Sequence, residues 1–275
     1  MPIKRITALA RETPCPRGGT QLVLPLEDEM QLVREVKTEL LDIERTALKA
    51  GIIPERYVRN MDSITPSDQL KLLQAKATLI GLGGLGGSLL ECLVRLGLGE
   101  IRTADGDHFE PSNLNRQVLA TATTLGHPKT LAAAERCRMI NPATRLHVRN
   151  AFLDQSGMRE LIQGTDVVLD ALGDLASRRE LVQACKDTGV PLVAGALAGW
   201  SGYVALVRPG EPHPVEFMGG DDSAEKILGC PAPSVALVAA LMAGEAVNVL
   251  LERPTLGGKM LVVDMRSMSF EKVRL

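Results

Sequence analysis

A glycine-rich turn between an apolar strand and a helix constrains this chain more than any other feature of its sequence. The motif G-x-G-x-x-G begins at Gly81 and directly follows an apolar run. Glycines there let the backbone turn tightly and approach phosphate oxygens, whose charge is met by amides at the N-terminus of the next helix. Asp105 follows about two dozen residues later, where a carboxylate can accept hydrogen bonds from ribose hydroxyls. The sequence predicts an adenine nucleotide held by Gly81, Gly83, Gly84, Gly86 and Asp105.

Short β-rich runs alternate with helical segments from residue 76 onward, the pattern of parallel strands joined by crossover helices. The predicted strands are 77–81, 100–104, 145–148, 167–169, 191–194 and 202–207. The predicted helices are 88–96, 129–140, 158–163, 177–188 and 234–251, followed by a hairpin through 259–264 and 267–273. We expect an α/β, Rossmann-like, doubly wound and mostly parallel sheet with a C-terminal antiparallel extension and an N-terminal helical arm.

Three segments outside this pattern have their own predictions. Residues 1–26 show little periodicity and should lie over another surface or be disordered. Apolar residues at helical spacing predict one amphipathic helix over 27–50, ended by Gly51. Residues 208–229 are rich in proline, glycine and acidic side chains, and are predicted as a long mobile loop that could cover a site. We divide the chain into an arm, residues 1–54, and a nucleotide-binding domain, residues 55–275.

Composition restricts partners and location. The chain has 275 residues and a formal charge of -2 with scattered basic residues, which argues against a nucleic-acid partner. Five cysteines form no C-x-x-C pair, so we expect reduced thiols and no zinc. Residues 1–17 lack a signal-peptide pattern, and the apolar run 235–251 is interrupted by Glu245 and Asn248, typical of a buried helix. We expect a cytoplasmic protein without a membrane partner.

Downstream motifs decide between ATP and NAD, which the glycine loop leaves open. They are Asp105-Gly106-Asp107, Ser112-Asn113-Leu114-Asn115-Arg116-Gln117, Gly126-His127-Pro128-Lys129 and Ile140-Asn141-Pro142. In their order and spacing the chain resembles the ThiF/MoeB/HesA family of ubiquitin-like-protein activating enzymes, from about Glu55 to the C-terminus. The resemblance implies an adenylyltransferase that uses ATP and Mg²⁺ to activate a carboxylate as its acyl-adenylate. The implied partner is a small ubiquitin-like carrier protein of the ThiS/MoaD kind.

The residue chemistry agrees with a triphosphate. Lys129 follows Pro128 at a helix start, where the macrodipole disfavours a cation by a few tenths to about 1 kcal/mol, so an adjacent anion explains it better than an ordinary solvated lysine. Arg116 lies among amide side chains suited to phosphate oxygens, although a local ion pair is the alternative. We expect Arg116 and Lys129 to be catalytic, and the nucleotide to be bound by Asp107, Asn113, Arg116, Gln117 and Lys129.

Two further roles come from the resemblance. Arg56-Tyr57-Val58-Arg59-Asn60 is similar to the family's R-Y-x-R-Q element, whose second arginine reaches the triphosphate of the neighbouring subunit. This implies a catalytic role for Arg59 and a homodimer. The family's magnesium aspartate falls on Gly173 when the chain is aligned on Arg178, and on Asp174 when it is aligned on Arg179 with one inserted residue. Asp174 is the nearest carboxylate either way and is our metal-ligand candidate, with Asp170 in support.

Cys230 precedes the last predicted helix, where a thiolate can have a lowered pKa and react; a buried structural cysteine is the alternative. Three other functions stay open. They are activation of a small-molecule, peptide or tRNA carboxylate on the same fold, a non-catalytic nucleotide-binding scaffold, and an NAD-dependent oxidoreductase.

Overall fold

The N-terminal residues form a small packed unit ahead of the main sheet. The computed structural model describes residues 3–15, 18–217 and 223–275. The elements described up to residue 54 are α1 (Ile3–Leu9), β1 (Arg11–Pro14), β2 (Thr20–Leu24), α2 (Leu26–Val36), α3 (Leu40–Lys49) and β3 (Ile53–Pro54). β1 and β2 pair antiparallel, and β3 runs parallel to β2. Ile6 and Leu24 are fully buried against α2 and α3, so the described part of residues 1–26 covers another surface, one of its two predicted alternatives, and the other alternative, disorder, is wrong there.

The single helix predicted over residues 27–50 is two helices. Lys37 ends α2 with a left-handed backbone, φ 52°, and α3 begins at Leu40. The break lets Leu32 of α2 and Ile43 of α3 share one buried cluster with Ile6. In a continuous helix these two side chains would lie roughly 16 Å apart along the axis. Tertiary packing therefore overrides the local helical pattern.

The strands from residue 76 onward form the main sheet. Its strands are β4 (Lys76–Ile80), β5 (Glu100–Ala104), β6 (Arg145–Arg149), β7 (Val167–Asp170), β8 (Leu192–Ala198), β9 (Ser201–Val207), β10 (Lys259–Asp264) and β11 (Ser269–Arg274). Their order in the sheet is β11-β10-β9-β8-β7-β4-β5-β6. The five strands from β8 to β6 are parallel; β9 pairs antiparallel with β8, β10 with β9, and β11 with β10. The predicted α/β fold with an antiparallel extension is confirmed.

Helices cover both faces of this sheet. They are α4 (Pro66–Gln74), α5 (Gly84–Leu96), α6 (Lys129–Ile140), α7 (Gln155–Ile162), α8 (Leu175–Thr188), α9 (Ser223–Leu228) and α10 (Ala232–Leu250). One buried cluster joins α5, α6 and α10 to the sheet, and a second joins α7 and α8 to its other face. Because the parallel strands all end at the same edge, the turns after β4, β5, β6 and β7 meet there.

Two segments refine the sequence predictions. α10 is long and apolar enough to cross a bilayer, yet half of its apolar stretch is buried inside the protein, as predicted for residues 234–251.

Residues 208–229, predicted as one long loop, contain α9 and a 3₁₀ turn at Pro214–Glu216; residues 218–222 lie outside the described residues. His213 is fully buried, its Nδ1 accepts the Val215 amide at 3.0 Å, and burial lowers its pKa to about 4. The segment is therefore anchored at His213.

Candidate nucleotide-binding site

The glycine loop packs so closely that two of its glycines cannot be replaced without movement. Gly81, which follows β4, has φ +94°, and a β-carbon there would lie 2.5 Å from the carbonyl oxygen of Ala171. A β-carbon on Gly86 would lie 1.9 Å from the carbonyl oxygen of Gly81. At Gly84 it would lie 3.2 Å from Val235 of α10. The loop thus turns directly into α5, whose N-terminal amides face the carboxyl edge of the sheet.

Asp105 ties the glycine loop to the turn after β5. One carboxylate oxygen, Oδ2, accepts the Leu82 amide at 2.6 Å, and Oδ1 accepts the Asp107 amide at 2.8 Å. The side chain is partly exposed. Asp105 therefore lies beside the loop as its motif predicts, and its contact with a ribose stays a prediction.

Lys129 is a buried cation at the start of α6. Its side chain is 8% exposed, and its Nζ lies 2.9 Å from Oδ2 of Asp107, whose side chain is 52% exposed. The Lys129 amide also donates to the Asp107 carbonyl at 2.9 Å. The alternative of an ordinary solvated lysine is therefore wrong. Asp107 offsets a charge that both burial and the helix dipole disfavour.

Arg116 extends along the glycine loop. Its Nη1 donates to the Ser112 carbonyl at 3.0 Å and to Oδ1 of Asn115 at 2.9 Å, and its Cγ lies 3.7 Å from the β-carbon position of Gly84. Arg116 makes no ion pair with any residue in 3–15, 18–217 or 223–275. The alternative of a local ion pair has no support in this part of the chain.

Asn113 and Gln117 have different surroundings within the same turn. Asn113 Oδ1 accepts the Glu110 amide at 3.1 Å and so closes the 3₁₀ turn Pro111–Asn113. Gln117 is buried, and its Oε1 has no hydrogen-bond partner among the described residues. Its Nε2 lies 3.8 Å from the β-carbon position of Gly83. A buried amide oxygen without a partner is costly, so Gln117 is the more direct candidate for a ligand contact.

Asp170 and Asp174 play different structural parts after β7. Asp170 is fully buried; its Oδ2 accepts Arg178 Nη1 at 3.0 Å and its Oδ1 accepts the Leu172 amide at 3.0 Å. Burial raises the pKa of its carboxyl, against the opposing charge of Arg178. Asp174 caps α8, accepting the Ser177 amide at 2.8 Å. The described residues contain no group of three or more metal-binding side chains, and the metal role of Asp174 stays a prediction.

A buried hydrogen-bond network fixes the 3₁₀ turn Glu55–Asn60 that carries Arg59. Tyr57 donates to Oε2 of Glu44 at 2.9 Å and accepts from Nδ2 of Asn141 at 3.0 Å. Arg56 pairs with Oε1 of Glu44 at 2.8 Å. Two motifs distant in sequence are thus joined directly by the Tyr57–Asn141 hydrogen bond, and a carboxylate of α3 holds the Tyr57 hydroxyl.

Arg59 lies at the wrong end of α5 to reach the glycine loop of its own subunit. The Tyr57 ring fills the space beside Gly97, just beyond the last residue of α5, whereas the loop lies at its first. α5 has 13 residues, so at about 1.5 Å per residue its ends are roughly 20 Å apart. The Arg59 side chain is exposed. The structure therefore does not bring Arg59 together with Lys129 and Arg116 within one chain.

Cys230 departs from the expectation of an activated thiol. Burial first, then the hydrogen bond and the charge of Glu225, together raise its pKa to about 12, despite the opposing charge of Arg116. A thiol with a raised pKa is predominantly protonated at neutral pH. Of the two alternatives, the structural cysteine is the one this direction favours, because desolvation and the neighbouring carboxylate outweigh the dipole.

Phe152 lies at this edge of the sheet and has no counterpart in the motif analysis. It follows β6, is 78% exposed, and rests on Gly106 of the Asp105-Gly106-Asp107 turn. A signal was available, since an aromatic residue in a loop stands out in a chain with four phenylalanines and 3% aromatic residues.

Comparisons with known proteins agree with this geometry. A SAMP-activating enzyme E1 from Haloferax volcanii is 33% identical over 80% of this chain and 84% of its own. A molybdopterin-synthase adenylyltransferase from Haemophilus influenzae is 32% identical over 80% and 94%. The crystal structure of Escherichia coli MccB with ATP superposes with a TM-score of 0.70 at 20% identity, covering 91% of this chain and 79% of that one, which shows a shared fold. The ThiF family model matches residues 57–275, and the chain belongs to the ThiF family.

Proposed function

We propose that this protein is an ATP-dependent adenylyltransferase that activates the C-terminal Gly-Gly carboxylate of a small ubiquitin-like sulfur-carrier protein. The observation that carries the proposal is Lys129, a buried cation paired with the half-exposed Asp107, two residues after Asp105, whose carboxylate accepts the Leu82 amide of the glycine loop. Such an arrangement suits an anionic ligand. The relatives named a SAMP-activating enzyme E1 and a molybdopterin-synthase adenylyltransferase, at about a third identity over four fifths of the chain, support the same activity.

The residues present fit a nucleoside triphosphate. The glycine loop leads directly into α5, and the free backbone amides at the N-terminus of a helix suit phosphate oxygens. Gln117 can donate to a phosphate through Nε2, whereas its Oε1, which has no partner among the described residues, accepts and would suit a ligand hydroxyl or amino group. We assign phosphate binding to the glycine-loop amides, Asn113, Arg116, Gln117 and Lys129, and ribose binding to Asp105, with Asp107 beside it.

In the reaction, a carboxylate oxygen of the carrier attacks the α-phosphorus of ATP and forms a new O–P bond. The bond from the α-phosphorus to the bridging oxygen breaks, and pyrophosphate leaves. Negative charge accumulates on phosphate oxygens during this step, so cations already held in place lower the barrier. Lys129 and Arg116 supply that charge without a large rearrangement, because backbone and side-chain bonds already orient them.

Mg²⁺ and a second subunit complete the proposal. The single carboxylate of Asp174 suits Mg²⁺, because this ion keeps several waters and binds phosphates alongside one or two protein oxygens. A Mg²⁺ ion held there would offset the negative charge of the leaving pyrophosphate. Because Arg59 lies roughly 20 Å from its own glycine loop along α5, we assign it to the site of a partner in a homodimer.

We also propose a cytoplasmic location, in keeping with five free cysteines.

Isotope exchange between pyrophosphate and ATP tests the function. We expect exchange only when a carrier protein ending in Gly-Gly is present, and none with the same carrier lacking those two residues. Thermal-shift titrations with ATP and NAD run in parallel, and ATP should give the larger stabilisation. Binding of ATP without exchange across a panel of such carriers would indicate a non-catalytic nucleotide-binding protein instead.

A further inference from the structure

An exposed aromatic ring lies on the nucleotide motif. Phe152 is 78% exposed, yet a β-carbon at Gly106 would lie only 2.6 to 2.8 Å from three of its ring carbons. Gly106 is the middle residue of the Asp105-Gly106-Asp107 turn. The ring is therefore positioned by the backbone of that turn, while most of its surface faces solvent. Single exposed apolar side chains are common on protein surfaces, so it is the contact with Gly106, and not the exposure alone, that distinguishes this ring.

The order of the strands indicates a partner for this ring. The glycine loop follows β4, Asp105 follows β5, and Phe152 follows β6, and these three strands are neighbours in that order. Phosphates at the loop and a ribose at Asp105 define a direction across the carboxyl edge of the sheet. A nucleotide that continues in this direction brings its base to the end of β6, where the ring of Phe152 lies.

We propose that Phe152 is the stacking platform for the nucleotide base, and that Gly106 is a glycine because any side chain there would displace the ring. The proposal rests on the proposed function, since it requires a nucleotide at the glycine loop. Stacking on an aromatic side chain favours a base because both flat surfaces leave water together. Phe152 lies with the base and away from the α-phosphate, so it is a binding residue and not a catalytic one.

Direct titration without any carrier protein tests this assignment. ATP and inorganic tripolyphosphate are titrated into the wild type, Phe152→Ala and a control, Phe270→Ala. Phe270 is 50% exposed on β11, at the opposite edge of the sheet. We expect Phe152→Ala to weaken ATP binding about tenfold or more, the effect of losing one base–aromatic stack. Tripolyphosphate, which has no base, should bind both variants as it binds the wild type.

The role of Gly106 is tested by a double-mutant cycle. Gly106→Ala should weaken ATP binding by pushing the ring aside, and should cause little further loss when Phe152 is already alanine. In exchange assays, Phe152→Ala should raise KM for ATP and leave kcat unchanged. Equal ATP affinity of Phe152→Ala and the wild type would overturn the assignment, as would an equal loss of tripolyphosphate binding. A wild type that binds no ATP would overturn the proposed function itself.

Discussion

Replacing Lys129 by methionine separates the binding role of this residue from its structural role. Methionine keeps most of the side-chain length and removes the charge. The lost partner, Asp107, has a side chain that is 52% exposed, so water can solvate its carboxylate after the substitution. The pair itself is then worth at most about 1 kcal/mol. Loss of the unfavourable cation–dipole contact returns about 0.3 to 1 kcal/mol, and the free energy of unfolding should change by no more than about 1 kcal/mol.

The effect on nucleotide binding should be far larger. A hydrogen bond from a charged donor to a phosphate contributes about 1.5 to 3 kcal/mol, because in a site that is 8% exposed water replaces it poorly. At about 1.4 kcal/mol per factor of ten, the ATP affinity should fall roughly tenfold to a hundredfold. Exchange activity should fall at least as much, since the charge on the phosphates grows in the transition state.

Calorimetric titration with ATP and urea unfolding measure the two quantities separately. Lys71→Met is the matched control, because Lys71 of α4 also forms an ion pair, with Glu252 at 3.5 Å, away from the glycine loop. Lys129→Arg keeps the charge and should retain part of the affinity. If Lys129→Met binds ATP within twofold of the wild type while remaining folded, or if Lys71→Met loses as much affinity, the phosphate role of Lys129 is wrong.

Three further substitutions test the metal ligand, the dimer and the buried carboxylate. Asp174→Asn keeps the helix cap and should raise the Mg²⁺ concentration for half-maximal exchange at least tenfold; an unchanged Mg²⁺ requirement would exclude Asp174 as ligand. Arg59→Ala mixed with Lys129→Met should recover about one quarter of wild-type activity, because half the dimers carry one intact shared site; no recovery would place Arg59 in its own subunit. Burial raises the pKa of Glu29 from 4.5 to about 9, so its contribution to stability is lost as pH rises through that range. Glu29→Gln should flatten the fall in melting temperature between pH 6 and 9, and an unaltered pH profile would contradict the burial argument.

The sheet and the glycine loop were predictable because both depend on local patterns. The strand predicted over 100–104 coincides with β5, and that over 145–148 ends one residue before β6 does. Gly81 and Gly86 occupy the predicted turn, and the structure adds the reason: Gly81 packs against the Ala171 carbonyl, and Gly86 packs against the Gly81 carbonyl.

Features that depend on distant contacts were not predictable in this way. The break at Lys37 involves a residue that rarely adopts a left-handed backbone, and it follows from the shared burial of Leu32 and Ile43. The burial of Lys129 required Asp107, 22 residues away, to be brought beside it. The raised pKa of Cys230 comes from desolvation and Glu225. In each case the three-dimensional neighbourhood outweighs the propensity of the segment.

Because of the network around Tyr57, the N-terminal boundary of the packed domain differs from the boundary that the sequence motifs give. The family model begins at residue 57, inside a buried cluster that α3 supplies with Leu40, Leu41 and Leu48. A shortened chain starting at Glu55 would retain every nucleotide motif. It would nevertheless lose the α3 surface that covers the Tyr57 ring and the carboxylate that binds its hydroxyl. The first 54 residues therefore belong to the same packed unit as the motif around Tyr57.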